Sequence, residues 1–215
     1  VEKNRMEKMA QQDGVFYYEN ADGQGIVAYE NLLPRTDKIP VATQKLLDKA
    51  DLNRLVKQVL GNQFEWESDE FGKPWPSDRN GHISFSHSRS HVAFSFHPKT
   101  YQGIDVEEIR PQLHLVANRI LHPNELEMLH HAENKQDLLQ LFWGTKEAMY
   151  KAYGKRQLEF ASQLITLTLP TLESPLFTGQ IILSDAVWNV TLRVIRPDQE
   201  SFLVFVQDVD ITSPK

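Results

Sequence analysis

The chain has 215 residues, 40% hydrophobic and 24% charged, a composition typical of a soluble globular protein long enough to bury a core without covalent staples. It contains no cysteine, which excludes disulfides and thiolate metal sites and fits a reducing cytoplasm. The 23 basic and 29 acidic residues give a net charge of −6, which argues against a duplex nucleic-acid binder and for a small anionic ligand or a protein partner. No apolar run approaches the ~18 residues of a membrane span. The charged opening VEKNRMEKMA lacks the apolar core of a signal peptide, and the missing initiator Met suggests trimming.

Taken in order, VFYYEN and GIVAYEN flank ADGQG, a pattern that predicts a hairpin. Val41 to Leu60 predicts a helix. Leu46, Leu47, Leu52, Leu55, Val56, Val59 and Leu60 fall near a 3.6-residue period, and Gly61 is the stop. FGKPWPSDRNG reads as loop. HISFSHSRSHVAFSF predicts a second hairpin with His87, Arg89 and Ser90 at its tip, and GIDVE opens a further strand.

Beyond Pro111 the chain turns helical. HPNELEML places Pro123 in a first turn with acids behind it. Leu138 to Tyr153 is the clearest helix, with Leu138, Leu141, Phe142, Thr145, Met149 and Ala152 as its buried stripe and Gly154 as its cap. LITLTL, GQIILS, VWNVTLRVI and SFLVFVQDV complete a β-rich end. The expected class is α+β with mainly antiparallel sheets, divided into an N-terminal half, residues 1–100, and a C-terminal half, residues 101–215.

Side chains alternate along a strand, so Asp105 and Glu107 share one face and Ile104 and Val106 share the other. Trp143, Glu147 and Lys151 are spaced by four along a helix and form one stripe. If the strand meets that helix, Asp105, Glu107 and Glu147 converge. Three such carboxylates need a cation, and hard oxygen donors suit Mg²⁺ or Mn²⁺ together with substrate phosphates. The bland alternative for Glu147 and Lys151 is a solvated pair worth about 0.2–0.5 kcal/mol. His130 and His131 are adjacent and diverge on a helix, while His114 and His122 suit solvated or capping roles.

GIDVEEIRP followed by FWGTKEAMYK resembles the 4′-phosphopantetheinyl transferases, and the length and two halves resemble the monomeric, surfactin-synthetase-activating type. The pattern is glycine–aliphatic–Asp–x–Glu, then aromatic–x–x–Lys–Glu–small–x–x–Lys. It is met by Gly103, Ile104, Asp105 and Glu107, then Trp143, Lys146, Glu147, Ala148 and Lys151. GKP at 72–74 and SFSHS at 84–88 add to the likeness, which covers roughly residues 60–165.

The resemblance implies a pseudo-dimer of two similar α+β subdomains, each with a sheet and a long helix, binding coenzyme A in the cleft between them. It implies cytoplasmic, Mg²⁺-dependent transfer of phosphopantetheine to a serine of an apo carrier protein, with release of adenosine 3′,5′-bisphosphate. Asp105, Glu107 and Glu147 would hold Mg²⁺, and Glu147 would also serve as general base. Lys151 would stabilise the pyrophosphate transition state or protonate the leaving phosphate. Lys146 would touch a coenzyme phosphate, His87 the 3′-phosphate, and Lys73 and Pro74 the adenine. A basic residue on the first long helix is also implied; of Lys45, Lys49 and Arg54, Arg54 is preferred, and Arg89 at the hairpin tip reads as a plain surface residue ahead of a further phosphate contact. A coenzyme A binder without turnover and a metal-dependent phosphoester hydrolase are the competing readings. Two internal halves argue for a monomer, with neither nucleic acid nor membrane as partner.

Overall fold

A computed structural model describes residues 10–12, 14–19, 23–32, 39–155, 157–171 and 174–213. The readings of the opening segment and of the turn at 20–22 lie outside these residues. The N-terminal elements are β1 (Ala10–Gln12), β2 (Val15–Glu19), β3 (Ile26–Asn31), α1 (Val41–Leu60), β4 (Trp66–Ser68), β5 (Pro74–Pro76), β6 (His82–His87) and β7 (His91–His97). After β8 (Ile104–Glu108) and a 3₁₀ turn (Pro111–Leu115) come α2 (Ala117–Ile120), α3 (Pro123–His131), α4 (Lys135–Tyr153) and α5 (Phe160–Gln163). The chain then closes with β9 (Leu164–Thr166), β10 (Leu176–Ile182), β11 (Val187–Ile195) and β12 (Ser201–Thr212).

Two five-stranded antiparallel sheets result, in the orders β1-β2-β3-β7-β6 and β8-β12-β11-β10-β9, each carrying one long helix. Strand alternation sorts the side chains into layers. Ala28, Val92 and Phe94 face α1 and pack on its Leu52, Leu55 and Val56. Val27, Tyr29 and Ala93 face the other way and meet Ile104, Val106, Leu203 and Phe205 of the second sheet. Phe202, Val204 and Val206 then pack against Ala148, Met149 and Ala152 of α4. The order is helix, sheet, sheet, helix, and the face of β8 bearing Asp105 belongs to α4.

Helix ends follow local chemistry. The Asn134 side chain accepts from the Asp137 amide at 3.1 Å and starts α4; Gly154, in the left-handed region at φ 72°, ends it. His122 caps α3: its Nδ1 accepts from the Asn124 amide while Glu125 accepts from the His122 amide.

Two expectations fail in detail. Leu46 and Leu47 are 70% and 40% exposed. At about 100° per residue they stand more than 90° from Leu52, so only the later part of the apolar series forms one stripe. The loop at 71–81 contains a strand, β5, paired with β4. Lys73 O and Ser77 N bond to Asp69 N and Glu65 O, so the bonded edge runs through 73, 75 and 77. Pro74 and Pro76 therefore turn their missing donors away from the ladder, the position that tolerates proline.

Candidate active site

Gly103 leads into β8 where α4 crosses it. A Cβ here would stand 1.9 Å from the Ala148 carbonyl oxygen, so only bare backbone lets the helix lie this close. The next residues are placed by that approach. Asp105 is buried, and its Oδ1 accepts from Lys151 Nζ at 2.7 Å and from Ser86 Oγ at 3.2 Å. Lys151 completes its donors on Ser86 Oγ at 3.1 Å and the Ile104 carbonyl at 2.9 Å. Asp105 Oδ2 has no hydrogen-bond partner; it faces α4, 3.7 Å from where a Cβ on Gly144 would lie.

The serines of SFSHS explain how β6 meets β8 without pairing with it. Ser84 Oγ accepts from the Ile104 amide at 3.2 Å and Ser86 Oγ from the Val106 amide at 3.1 Å. Two hydroxyls thus stand in for the carbonyls of a neighbouring strand, and they bring the N-terminal half against the edge that carries Asp105.

The other carboxylates feel Asp105. Burial, then the Asp105 charge, push Glu107 up to about 7, against the pull of Arg110 and Lys151. Burial and Asp105 likewise raise Glu147, with Lys151 and Arg110 opposing. Glu107 is paired with Arg110 at 2.5 Å. Among the described residues, however, no three His, Asp or Glu side chains are drawn into a cluster that would hold a metal ion as they stand. The acids share a field rather than a point. In kind and in charge they fit a hard divalent cation: an unpartnered buried carboxylate oxygen, and two glutamates held toward protonation by burial and by a third acid.

Two cavities flank this group, each lined from both halves. One, about 470 Å³, has Leu52, Trp66, Phe85 and His87 on one side and Tyr150, Lys151 and Lys155 on the other. The second, about 590 Å³, is bounded by Asp48, His87 and Arg89 and by Glu107, Glu108 and Arg110. His87 borders both, and its Nδ1 lies 3.5 Å from Asp48 Oδ2. Pro74 and Lys73 line the first cavity.

Two expected ligand contacts are placed elsewhere. Arg54 borders neither cavity; it is committed to Glu30 at 2.7 Å and Asp51 at 3.2 Å on the surface. The α1 residue that does face His87 is the acid Asp48. Lys146 is fully buried, 2.7 Å from Glu125, and donates to the carbonyls of Phe160 and Leu164. Glu125 also accepts from the Thr166 amide at 2.7 Å. Lys146 precedes Glu147 by one residue, about 100° around the helix, so its side chain leaves the face that carries Glu147 and ties α3, α5 and β9 to α4.

Sequence reading passed over Ser86 and Arg110. Both stand inside quoted motifs, and each is the side chain that reaches an acid of the group. Arg110 is itself clamped, its amide donating to Gln140 Oε1 at 2.9 Å and its carbonyl accepting from Gln136 at 3.0 Å.

No curated protein matches the chain. Among solved structures, the crystal structure of gp37 (Dip) from bacteriophage phiKZ bound to RNase E of Pseudomonas aeruginosa aligns with 98% of this chain and 84% of that chain, at 11% identity and a TM-score of 0.18, too low to bear on the fold. No helix among the described residues is long and apolar enough to cross a membrane. Residues 102–205, which carry Asp105, Glu107, Glu147 and Lys151, match the family model described as the 4′-phosphopantetheinyl transferase superfamily.

Proposed function

We propose that the protein transfers the 4′-phosphopantetheine group of coenzyme A to a serine of an apo carrier protein, in a Mg²⁺-dependent reaction of the monomeric, surfactin-synthetase-activating kind. The observation that carries this reading is the linked group of Asp105, Lys151, Ser86 and two proton-biased glutamates lying between two cavities that both halves line. The family match over residues 102–205 supports it independently.

Asp105, Glu107 and Glu147 would hold Mg²⁺, or Mn²⁺ in its place, which when bound neutralises pyrophosphate charge. The chain's own groups do the rest. The raised affinity of Glu147 for protons suits it to take the proton of the incoming serine hydroxyl. As the serine oxygen bonds to the phosphorus bearing pantetheine, the bond from that phosphorus to the bridging oxygen breaks, and adenosine 3′,5′-bisphosphate leaves with the electron pair. Lys151, fixed by three acceptors, supplies positive charge beside the departing phosphate. Coenzyme A would occupy the cavity lined by Pro74, Lys73 and His87. We also place the division of the halves near residue 100, between the strands of the two sheets, and read the protein as a cytoplasmic monomer whose single chain builds the cleft.

The test is incubation with apo carrier proteins, coenzyme A and Mg²⁺, read by mass spectrometry. A gain of one phosphopantetheine on the carrier serine is expected. Its absence across fatty-acid, polyketide and peptide-synthetase carriers would overturn the assignment.

A further inference from the structure

The Lys73 ammonium is the most heavily enclosed cation bordering the 470 Å³ cavity, yet little of it is available to a ligand. The residue is 6% exposed. Its Nζ donates to the Ala152 carbonyl at 2.5 Å and lies 5.2 Å from the ring centre of Trp75 and 5.4 Å from that of Tyr101. One carbonyl and two ring faces within cation–π reach thus surround the ammonium. Ala152 lies in the last turn of α4, where carbonyls lack helical partners and the helix dipole is negative. The Lys73 stem runs across Gly154: a Cβ there would stand 2.0 Å from Lys73 Cδ. The rings are themselves anchored, Trp75 on His82, His82 on Tyr101, and Tyr101 on Trp188 of the second sheet. Asp69 holds the other end of the hairpin, accepting from the Lys73 amide and from the Trp75 indole, both at 2.9 Å.

We infer that Lys73 is a positioning residue: it caps the C-terminal end of α4 from the β4–β5 hairpin of the other half and so fixes Lys151, which borders the cavity, and Glu147 one turn before it. Lys151 precedes Ala152 by one residue, and Glu147 lies within the last two turns, so fraying of this end displaces both. The backbone at Lys73 and the ring of Pro74 remain to line the cavity, while the ammonium is spent on the helix. Burial draws Lys73 down to about 8, so the cap keeps its charge at neutral pH.

The kinetic arm of the test rests on the proposed transferase reaction; the exchange arm does not. Lys73→Met keeps the stem and removes the charge. Amide hydrogen exchange of the free protein is expected to rise in residues 150–155 and to stay unchanged in α1 and β11–β12. With coenzyme A and an apo carrier, kcat is expected to fall by about tenfold to a hundredfold with KM for coenzyme A within about twofold. If Lys73→Met does not fold, Lys73→Gln, which loses the charge but retains a donor for the Ala152 carbonyl, is measured instead, with a smaller rise in exchange at 150–155 and a smaller fall in kcat expected and KM for coenzyme A again within about twofold. Unchanged exchange at 150–155 together with a raised KM and intact kcat would overturn the inference and make Lys73 a ligand contact. A wild-type protein with no transfer activity fails the functional reading alone, since the exchange result still decides the cap.

Discussion

Lys151 holds Asp105 by one oxygen, Oδ1, at 2.7 Å, and leaves the other, Oδ2, buried against α4 without a partner. An unpartnered buried carboxylate oxygen is costly. Burial first, and then the same charge, drive Glu107 and Glu147 toward protonation, so Asp105 organises the group and also strains it.

Asp105→Asn tests that dual role. The amide keeps the shape and an oxygen for Lys151 while removing the charge. Transfer activity should fall by about a hundredfold or more, on the scale of losing an electrostatic catalytic group. Melting temperature in metal-free buffer should hold or rise, and the apparent pKa of Glu107 should drop, as read by NMR titration. Retained activity would end the metal assignment of Asp105.

Glu107 makes stability depend on pH. Its folded-state pKa is about 7, above the ordinary 4.5, so the folded chain holds this proton more tightly than the unfolded one. Stability from this group is present at low pH and lost as pH rises through 4.5 to 7. His82, drawn by burial to about 4, acts oppositely: its contribution is full above about 6.5 and lost as pH falls toward 4. Comparing the melting temperatures of wild type and Glu107→Gln across this range isolates Glu107, and the variant should gain relative to wild type as pH rises. Mg²⁺ should raise the wild-type melting temperature more at pH 8 than at pH 5. An equal rise at both values would contradict the assignment.

Lys146 should behave as a structural residue. Lys146→Ala leaves Glu125 buried without its cation and should cost about 3–5 kcal/mol in denaturant unfolding. Combining Lys146→Met with Glu125→Gln should recover part of that loss, because the two sites are in contact. Folded Lys146→Met should keep its KM for coenzyme A within about twofold. A tenfold rise would restore Lys146 as a phosphate contact.

Arg54→Ala should change stability by less than about 1 kcal/mol, since its ion pairs are exposed, and should leave KM for coenzyme A unaltered. A large rise in KM would show that Arg54 abandons Glu30 when ligand binds.

Periodicity made the architecture legible where one face of an element is buried. Ile104 and Val106 against Asp105 and Glu107 announced both the strand and its facing, and α4 was readable from its stripe and Gly154. What escaped depended on contacts between distant segments. Nothing in the spacing of Lys146 reveals Glu125, which reaches it from α3, and nothing in KEAMYK separates the lysine turned inward from the one at the site. Arg54 looked suitable because charge and helix are local facts, whereas the identity of the residue opposite His87 is not. The β5 strand was hidden by its own prolines, whose harmlessness depends on which edge of the hairpin is bonded.

The hydroxyls of Ser84 and Ser86 have one more effect. They consume the amides of Ile104 and Val106 on β8, an outermost strand of its sheet, using side chains of β6, an outermost strand of the other. Raw edges of this kind are where β proteins recruit strangers. A fragment of either half expressed by itself would bare both that edge and an oily sheet face, and would self-associate rather than stay monodisperse. The two halves are therefore expected to fold as one unit, and the cavities that both line are inseparable from the seam that covers the two strand edges.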